Sequence, residues 1–461
     1  MADSTQHELG SQHDWLRDAA PSEGPEGPAL AIAWSLAEPE RVGQVARIPS
    51  DGAVLGRGDD QANLLFVEDR PDGRRGGGPL GGRLLSRRQC EVRREGDGLH
   101  LVNTGSRPMR VDGQVVSEAR VGQGAVIEWD RQLVVVVVSR SGWPEVTVDH
   151  PFGQPDAHGV VGESPAAWAL RARLTFLARR GEPVLVRGDS GSGKEQTARA
   201  LHHLSGAGPF VARNASTLPE GLVDAELFGT ARGYPQAGMP PREGLIGSAD
   251  GGTLFLDEIG EMPEGTQAHL LRVLDAEGEY QRLGESGMRR SRFRCVAATN
   301  RARDALKHDL SARFIHEVVV PGLGERREDI PLLVAHLLRE AEADDSLRER
   351  FFDGGHARIA PALMVALLRH PWTHHVRELS TVLWAAVSSS PGRALVLTPE
   401  VDALLQAPGT SSATAPSSLD ADTLRQALAR ADGNVTAAAE ALGLSSRYAL
   451  YRLMRRHGVE R

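Results

Sequence analysis

Short apolar runs separated by turns fill the first third of the chain. Between Ala29 and about Arg140, runs such as AIAW, GAVLG, CEVRR, LHLVN and QLVVVVVS alternate with turns that contain glycine and aspartate. Such runs at regular spacing are typical of an antiparallel β sandwich. The pattern predicts an all-β domain at residues 29–140. Residues 1–28 are rich in Gly, Pro, Ser and charge, and we expect a flexible leader there.

The pattern then changes to helical and strand-like segments in alternation, after a Pro- and Gly-rich linker at residues 141–158. This alternation predicts an α/β domain at residues 159–325, and apolar residues at helical spacing indicate a helical lid at residues 326–406. A spacer of small residues, 407–418, leads to helices at residues 419–461. The pattern therefore predicts a multidomain protein with an all-β sandwich, an α/β domain with a helical lid, and an all-α C-terminal region.

Composition excludes several classes of protein. The 461 residues carry a net charge of −8, so any nucleic-acid-binding surface must be local. Cys90 and Cys295 lie far apart, without metal-ligand spacing around either, which argues against a disulfide framework or a zinc site. No apolar run approaches the about 20 residues of a membrane helix, and the polar N-terminus lacks the plan of a signal peptide. We expect a cytoplasmic protein without a membrane partner.

A glycine-rich turn lies between an apolar strand and a helix in PVLVRGDSGSGKEQTARAL. Glycines let backbone N–H groups turn toward phosphate oxygens, and the helix N-terminus and Lys194 add positive charge. The motif predicts an ATP site. Its phosphate-binding residues are Gly188, Asp189, Ser190, Gly191, Ser192, Gly193, Lys194, Glu195 and Gln196. Glu195 stands where the general P-loop carries the Ser or Thr hydroxyl that meets Mg²⁺, so the metal must depend on another residue.

A pair of carboxylates at the end of an apolar strand offers the residue that can hold Mg²⁺. In GGTLFLDEIG an apolar strand delivers Asp257 and Glu258 at its carboxyl end, where α/β proteins bind ligands. We expect Asp257 to hold Mg²⁺ and Glu258 to act as the base that orients and deprotonates the attacking water.

These motifs, with ELFG at 226–229, AATN at 297–300 and the phrase ERREDIPLL, resemble the AAA+ domain of sigma-54-dependent activators over about half of the chain. A Glu at the Glu195 position is ordinary in that family. The resemblance implies Asn300 as the γ-phosphate sensor, Asn214 as the partner that restrains Glu258, and Arg377 as the lid sensor. It also implies assembly into a hexameric or heptameric ring, with mixed rings of related activators as one form.

The family's two arginine fingers, donated across the ring interface, fall on Lys307 and Arg313. Lysine keeps the charge but lacks the planar fork that grips phosphate at two points. The resemblance therefore implies an ATPase with slow hydrolysis.

The family's sigma-54-binding loop, GAFTGA, falls by spacing on GYPQAG, the residues Gly233, Tyr234, Pro235, Gln236, Ala237 and Gly238. Pro235 and Gln236 replace the Phe and Thr that engage sigma-54, and proline fixes a dihedral and removes a donor. Two hypotheses follow. Either the protein remodels sigma-54 RNA polymerase with an altered loop, or it binds ATP and DNA and regulates transcription without that contact, through mixed rings or a different partner. We favour the second.

The C-terminal segment combines a break at Gly433, a turn at Gly443 and a final basic helix. From residue 445 to the end, five arginines face one glutamate, a local charge of +4 that suits DNA phosphates. The segment resembles the Fis-type helix-turn-helix of the same family and implies binding to enhancer-like upstream DNA. The predicted DNA-binding residues are Ser446, Arg447, Tyr448, Tyr451, Arg452, Arg455 and Arg456.

Within the sandwich, VLGRGD, LLSRRQCEV and VDGQVV resemble an FHA domain, which binds phosphothreonine peptides. The resemblance assigns the phosphate to Arg57 and Ser86, and Arg87 follows in the same loop. Gln89 replaces the family's supporting His, and Pro108 takes the place of the Asn that holds the ligand backbone. We expect weak or unusual phosphopeptide binding, with a purely structural sandwich as the alternative.

Two function classes remain open on these residues. In one, an ATPase ring remodels a polymerase; in the other, nucleotide sets only the assembly state of a DNA-bound regulator. The C-terminal helix-turn-helix argues against a third class, an AAA+ unfoldase.

Overall fold

The structure is a computed structural model that describes residues 27–58, 63–206, 208–217, 221–275, 278–301 and 306–406. The chain divides into two compact units, Met1–Asp402 and Ala403–Arg461. Of the second unit, only residues 403–406 are described. The predicted spacer and helix-turn-helix, and almost all of the predicted leader, lie outside the described residues.

Twelve strands in two sheets form the first part of the described chain. They are β1 Gly27–Ser35, β2 Val45–Arg47, β3 Ala53–Leu55, β4 Phe66–Arg70, β5 Gly73–Gly78, β6 Cys90–Glu95, β7 Gly98–Asn103, β8 Met109–Val111, β9 Gln114–Val116, β10 Glu118–Val121, β11 Val126–Trp129 and β12 Leu133–Arg140. The sheet orders are β5-β4-β2-β1-β12-β11-β8-β9 and β10-β7-β6-β3. This β-rich region is consistent with an FHA-like sandwich.

Strand β12 explains the unbroken apolar run QLVVVVVS. Its alternate residues Leu133, Val135 and Val137 belong to the core shared by the two sheets. The residues between them are also buried, and β12 contacts a helix from the later part of the chain. Because both faces of β12 are covered, the strand is apolar throughout instead of alternating.

The α/β region follows. Its elements are α1 Pro165–Ala178, β13 Val184–Arg187, α2 Lys194–Ser205, β14 Phe210–Asn214, α3 Val223–Phe228, β15 Gly229–Thr230, β16 Arg242–Glu243, α4 Leu245–Ser248, β17 Thr253–Asp257, α5 Glu264–Asp275, β18 Glu279–Tyr280, β19 Arg289–Arg290, β20 Arg294–Thr299, α6 His308–Arg313 and β21 His316–Val319. The main sheet is parallel, in the order β14-β17-β20-β13-β21. The carboxyl ends of β13, β17 and β20 therefore meet at one edge of the sheet, where the predicted nucleotide residues lie.

The lid region consists of short helices. They are α7 Ile330–Leu337, α8 Arg339–Ala343, α9 Asp345–Phe351, α10 Pro361–Arg369, α11 His375–Ser389 and α12 Pro399–Gln406, with a hairpin of β22 Phe352–Asp353 and β23 His356–Ala357. Helix α10 begins with proline, which suits the first turn because that position needs no N–H donor. Within the described part of the chain, no helix combines the length and hydropathy needed to cross a membrane.

Candidate nucleotide-binding site

The glycine-rich loop connects β13 to α2, as the sequence predicts. Gly191 and Gly193 have φ angles of 80° and 107°, in the left-handed region that favours glycine. The loop is fastened to the sheet by the N–H of Gly188, which donates to the carbonyl of Thr299 at 3.4 Å. Lys194 opens α2, and its Nζ donates to the carbonyl oxygens of Gly188 and Asp189 at 3.0 and 3.3 Å. The loop is thus curled around the ammonium group.

The two predicted carboxylates lie next to this lysine. Asp257 ends β17, and Glu258 follows it with a left-handed φ of 52°. The Oδ1 of Asp257 accepts a hydrogen bond from the N–H of Glu258 at 3.0 Å. The Oε1 of Glu258 lies 3.7 Å from the Nζ of Lys194, and the two side chains are 19% and 7% exposed. The structure therefore brings Lys194, Asp257 and Glu258 together in a partly buried cluster.

Asn214 lies beside this cluster in a different arrangement from the expected one. It is the register partner of Asp257 on the neighbouring parallel strand. Its Oδ1 accepts hydrogen bonds from the N–H and the hydroxyl of Ser216 at 2.9 and 2.7 Å, which form a local turn. The carboxylate of Glu258 faces Lys194 instead. Strand pairing places Asn214 close to the predicted catalytic residues, but its side chain is hydrogen-bonded to the nearby Ser216.

The lid lies directly on the glycine-rich loop. The Nη1 of Arg377 donates to the Oγ of Ser190 at 3.2 Å, and the N–H of Val376 donates to the carbonyl of Gly191 at 3.0 Å. The Nε2 of His375 lies 3.2 Å from a carboxylate oxygen of Asp189. Residues 375–377 at the start of α11 thus contact three successive residues of the loop.

A second lid contact lies beneath the loop and was not predicted from the sequence. Arg326, only 5% exposed, directs Nη2 toward the carbonyl of Ser192 at 3.5 Å. Burial lowers the pKa of its guanidinium below the usual range, and Asp329 opposes that shift. The phrase ERREDIPLL contributes to the family resemblance, but the resemblance predicts no role for its charged residues.

The other predicted nucleotide residues occupy the edges of the site. Glu195 is exposed and pairs with Arg199 one helical turn later, at 2.8 Å. Gln196 donates to the carbonyl of His158 at 2.9 Å, joining α2 to the segment before α1. Asn300 is exposed immediately beyond the end of β20.

The two predicted finger positions lie at the two ends of α6. Lys307 precedes the helix, and its Nζ lies 3.4 Å from a carboxylate oxygen of Glu264. Arg313 ends the helix and is exposed. Both side chains are exposed.

The loop at residues 233–238 forms a closed turn. The N–H of Gly233 donates to the carbonyl of Met239 at 2.8 Å, and the N–H of Met239 donates to the carbonyl of Gln236 at 3.2 Å. The ring of Tyr234 covers Gly284, where an added Cβ would lie 2.6 Å from the ring. Tyr234 and Met239 are 39% and 44% exposed, so an apolar surface remains at the loop.

The predicted phosphopeptide residues also lie close together in the sandwich. Ser86 pairs with Ser106 through their hydroxyl groups at 3.2 Å, and Arg57 donates to the carbonyl of Leu85 at 2.8 Å. Arg87 is exposed in the same loop.

Gln89, the residue in place of the family's His, is fully buried below this loop. Its amide nitrogen donates to Asn103 and to the carbonyl of Arg107, both at 2.9 Å, and its oxygen accepts from the N–H of Ser86 at 3.2 Å. The side chain of Gln89 therefore connects and supports the loops that carry the candidate phosphate contacts. The predicted DNA-binding residues, 446–456, lie outside the described part of the chain.

Comparison with known proteins assigns three regions. Residues 160–317 match the family model of the sigma-54 interaction domain, residues 324–415 an AAA+ ATPase lid domain, and residues 416–457 the bacterial regulatory proteins of the Fis family.

The chain is also similar to individual proteins. The transcriptional regulatory protein GlrR of Escherichia coli K12 is 36% identical over 315 residues, which cover 65% of this chain and 68% of GlrR. The Nif-specific regulatory protein of Bradyrhizobium diazoefficiens is 33% identical over 332 residues, which cover 63% of this chain and 55% of that protein. The crystal structure of Brucella abortus NtrX in complex with ATP matches with 29% identity and a TM-score of 0.47, covering 65% of this chain and 69% of NtrX.

The prediction of an AAA+ domain with a lid and a Fis-type helix-turn-helix is confirmed by these matches. By its motifs, their arrangement around the glycine-rich loop and its similarity to GlrR, the chain belongs to the family of sigma-54-dependent transcriptional regulators.

Proposed function

We propose that the chain is an ATP-dependent, DNA-binding transcription regulator with an altered sigma-54 contact and a phosphopeptide-sensing N-terminal domain. One observation supports ATP binding most strongly. Around one glycine-rich loop lie Lys194, Asp257, Glu258 and the lid residue Arg377. Two cations and two carboxylates at the carboxyl edge of a parallel sheet suit a phosphate chain with its metal ion.

The residues also fit hydrolysis of the terminal phosphate. The N–H groups of the loop and the ammonium of Lys194 bind phosphate oxygens, and Lys194 exchanges its present carbonyl partners for them. Asp257 would hold Mg²⁺, which neutralises charge on the phosphates. Glu258 would orient the attacking water and accept its proton, with Asn214 restraining Glu258 and Asn300 sensing the γ-phosphate.

Hydrolysis requires a neighbouring subunit in this proposal. Lys307 and Arg313 would reach the terminal phosphate of the adjacent subunit in a ring of six or seven chains. Because Lys307 cannot grip phosphate at two points, we propose slow turnover. A phosphate-release assay beside a gel shift separates the two functions. A DNA-bound regulator without hydrolysis shifts DNA and releases no phosphate, whereas an ATPase ring shifts DNA and releases phosphate.

We assign the DNA contact to the final helix that the sequence predicts. The basic residues Arg447, Arg452, Arg455 and Arg456 would bind the phosphates of an enhancer-like upstream site. The match of residues 416–457 to the Fis family supports this proposal. Deleting residues 419–461 should abolish the gel shift, and unchanged DNA affinity would contradict it.

The loop at residues 233–238 supports an altered sigma-54 contact. Pro235 and Gln236 replace the family's Phe and Thr, and Tyr234 is held against Gly284. The competing function is a fully competent activator that remodels the polymerase closed complex. Transcription in vitro with purified sigma-54 RNA polymerase distinguishes the two, because robust ATP-dependent open-complex formation by the wild-type protein alone contradicts the altered contact.

A phosphothreonine protein is the proposed ligand of the sandwich. The grouping of Arg57, Ser86 and Arg87, with Gln89 supporting the loop, favours this function over a purely structural sandwich. Binding of a fluorescent phosphothreonine peptide that is lost on Arg57→Ala supports a sensor. Equal binding of phosphorylated and unphosphorylated peptides would contradict it.

A further inference from the structure

The β sandwich contacts the AAA+ region on both sides of the joint between the α/β region and the lid. This joint is a polar contact between Asp329, which precedes α7, and the start of α1. The Oδ1 of Asp329 accepts from the N–H groups of Glu163 and Ser164 at 2.8 and 2.9 Å, and its Oδ2 accepts from the hydroxyl of Ser164 at 2.6 Å. Asp329 is fully buried. Any rotation of the lid about this joint must change these hydrogen bonds.

On the α/β side of the joint, Arg70 at the end of β4 grips Glu163 at two points. Its Nη2 and Nε donate to the two carboxylate oxygens at 2.6 and 3.0 Å. The side chains are 5% and 4% exposed. The Nη1 of Arg70 also donates to the carbonyl of His150 at 2.8 Å, so the linker is part of the same contact.

On the lid side, Arg140 at the end of β12 grips Glu328, the residue before Asp329. Its Nη1 donates to Oε1 of Glu328 at 2.9 Å and its Nη2 pairs with the other carboxylate oxygen. Arg140 is 1% exposed, and Asp69 lies 3.7 Å from its Nε. Further along the lid, the indole N–H of Trp34 donates to the carbonyl of Ile359 at 2.8 Å, just before α10.

These two ion pairs favour one orientation of the lid. A buried charge that loses its partner is strongly destabilising, whereas exposed pairs contribute little. The pairs of Arg70 and Arg140 are both buried, and their carboxylates lie on opposite sides of the joint. The sandwich can keep both pairs only while the lid holds its present angle. This angle also places Arg377 and His375 against the phosphate-binding loop.

We propose that the β sandwich braces the nucleotide site, with Arg70 and Arg140 as positioning residues that hold the lid against the phosphate-binding loop. A ligand that prefers this orientation of the lid binds more tightly while the brace is present, because the two equilibria are coupled. The inference rests on the proposed ATP binding for its effect on nucleotide affinity. Its effect on the lid itself is independent of nucleotide.

The test uses the full-length chain with Arg140→Met and Glu328→Gln together. This double variant removes both charges with side chains of similar length, and the buried Asp69 keeps its ion pair with Arg47 at 2.9 Å. The matched control is Arg120→Met with Glu95→Gln, which removes an ion pair of 3.0 Å on the exposed surface of the same sandwich, with side chains 77% and 45% exposed. Arg70→Met with Glu163→Gln repeats the test on the other side of the joint.

Hydrogen–deuterium exchange without nucleotide is the first measurement. The brace predicts faster exchange in both interface variants, but not in the control, at residues 188–193 of the loop and at the start of α11. The second measurement is the Kd of a fluorescent ATP analogue, which should rise about fivefold or more in the interface variants. The brace would be overturned if both interface variants exchanged as slowly as the control in the loop and in α11. It would also be overturned if exchange were faster but the Kd stayed within twofold of that of the control. Failure of the wild-type chain to bind the analogue contradicts the proposed ATP binding, while the exchange rates still decide the brace.

Discussion

The Nη1 of Arg377 donates to the Oγ of Ser190 at 3.2 Å, so a lid side chain lies on the glycine-rich loop without an intervening residue. The same lid segment approaches Gly191 so closely that an added Cβ would lie 2.1 Å from the carbonyl oxygen of His374. The lid therefore lies against the loop that is proposed to bind the phosphates. Changes at the loop and at the lid should affect one another.

Gly191→Ala tests this close approach. The φ of 80° strains any residue with a Cβ, and the clash with His374 adds to the strain. Gly193→Ala is the matched control, because its φ of 107° brings similar strain but no atom lies within 4 Å of the added Cβ. We expect Gly191→Ala to lower the melting temperature of the protein more than Gly193→Ala does. Equal melting temperatures of the two variants would contradict the close lid contact.

Glu258→Gln tests the assignment of the base. The substitution keeps the size of the side chain but removes its capacity to accept a proton, so the rate of ATP hydrolysis should fall about 100-fold or more, while ATP still binds. Glu261→Gln serves as a control, since Glu261 pairs with Arg301 on the exposed surface. Phosphate release measured on both variants decides the matter: a loss of rate in Glu261→Gln as large as that in Glu258→Gln would argue against a special role of Glu258.

The joint between the α/β region and the lid should make stability depend on pH. Burial, with the neighbouring Glu328, raises the pKa of Asp329 to about 6, above the unperturbed 3.8. Because the folded pKa is the higher one, folding favours the protonated acid. The contribution is complete below pH 3.8 and is lost as the pH rises through 6, with a total of up to about 3 kcal/mol.

Urea unfolding between pH 4.5 and 7.5 measures this dependence. The free energy of unfolding of the wild-type protein, relative to Asp329→Asn, should decrease as the pH rises, since asparagine does not titrate. A difference that stays constant or increases over this range is incompatible with a raised pKa of Asp329.

Both cysteines should resist alkylation in the folded protein. Burial raises the pKa of Cys90 and of Cys295 to about 12, so almost no thiolate is present near neutral pH. At pH 8 we expect iodoacetamide to modify the native chain about a thousandfold more slowly than the unfolded chain, in which both thiols react. Mass spectrometry measures the time course of alkylation. Rapid modification of the native protein would show that the thiols are accessible.

Restoring the family sequence in the loop tests the proposed alteration of the sigma-54 contact. Pro235→Phe with Gln236→Thr supplies the two side chains that the resemblance assigns to sigma-54 binding. We expect this double variant to gain ATP-dependent open-complex formation about tenfold relative to wild type, a change of about 1.4 kcal/mol in a coupled equilibrium. Transcription in vitro measures it, with Ala237→Ser as a control in the same loop. Equal activity of the wild type and the restored variant would show that Pro235 and Gln236 do not weaken the contact.

The local parts of the site could be predicted from the sequence, because each depends on a short motif. The strand, the glycine-rich loop and the helix that begins at Lys194 follow one another along the chain, and Asp257 and Glu258 follow a single apolar strand. The lid residue Arg377 came from the family resemblance, and the structure places it on Ser190.

The contacts between distant segments could not be predicted in this way. Arg70 and Arg140 end two strands, where charged residues are usually solvated, and their partners lie 93 and 188 positions later. No periodic pattern connects such positions. The local partner of Asn214 was also missed, because a side chain that can form a turn with its own neighbours competes with a distant partner.

Titration of the full-length chain with Mg-ATP by isothermal calorimetry, beside the variant Lys194→Ala, tests the central claim most directly. Lys194 supplies the charge around which the phosphate-binding loop is curled. We predict about one ATP bound per wild-type chain and an affinity at least about tenfold lower in the variant, whose circular dichroism should match the wild type. Equal affinity of the two proteins for ATP, or no binding to the wild type, would contradict a nucleotide site between this loop and the lid.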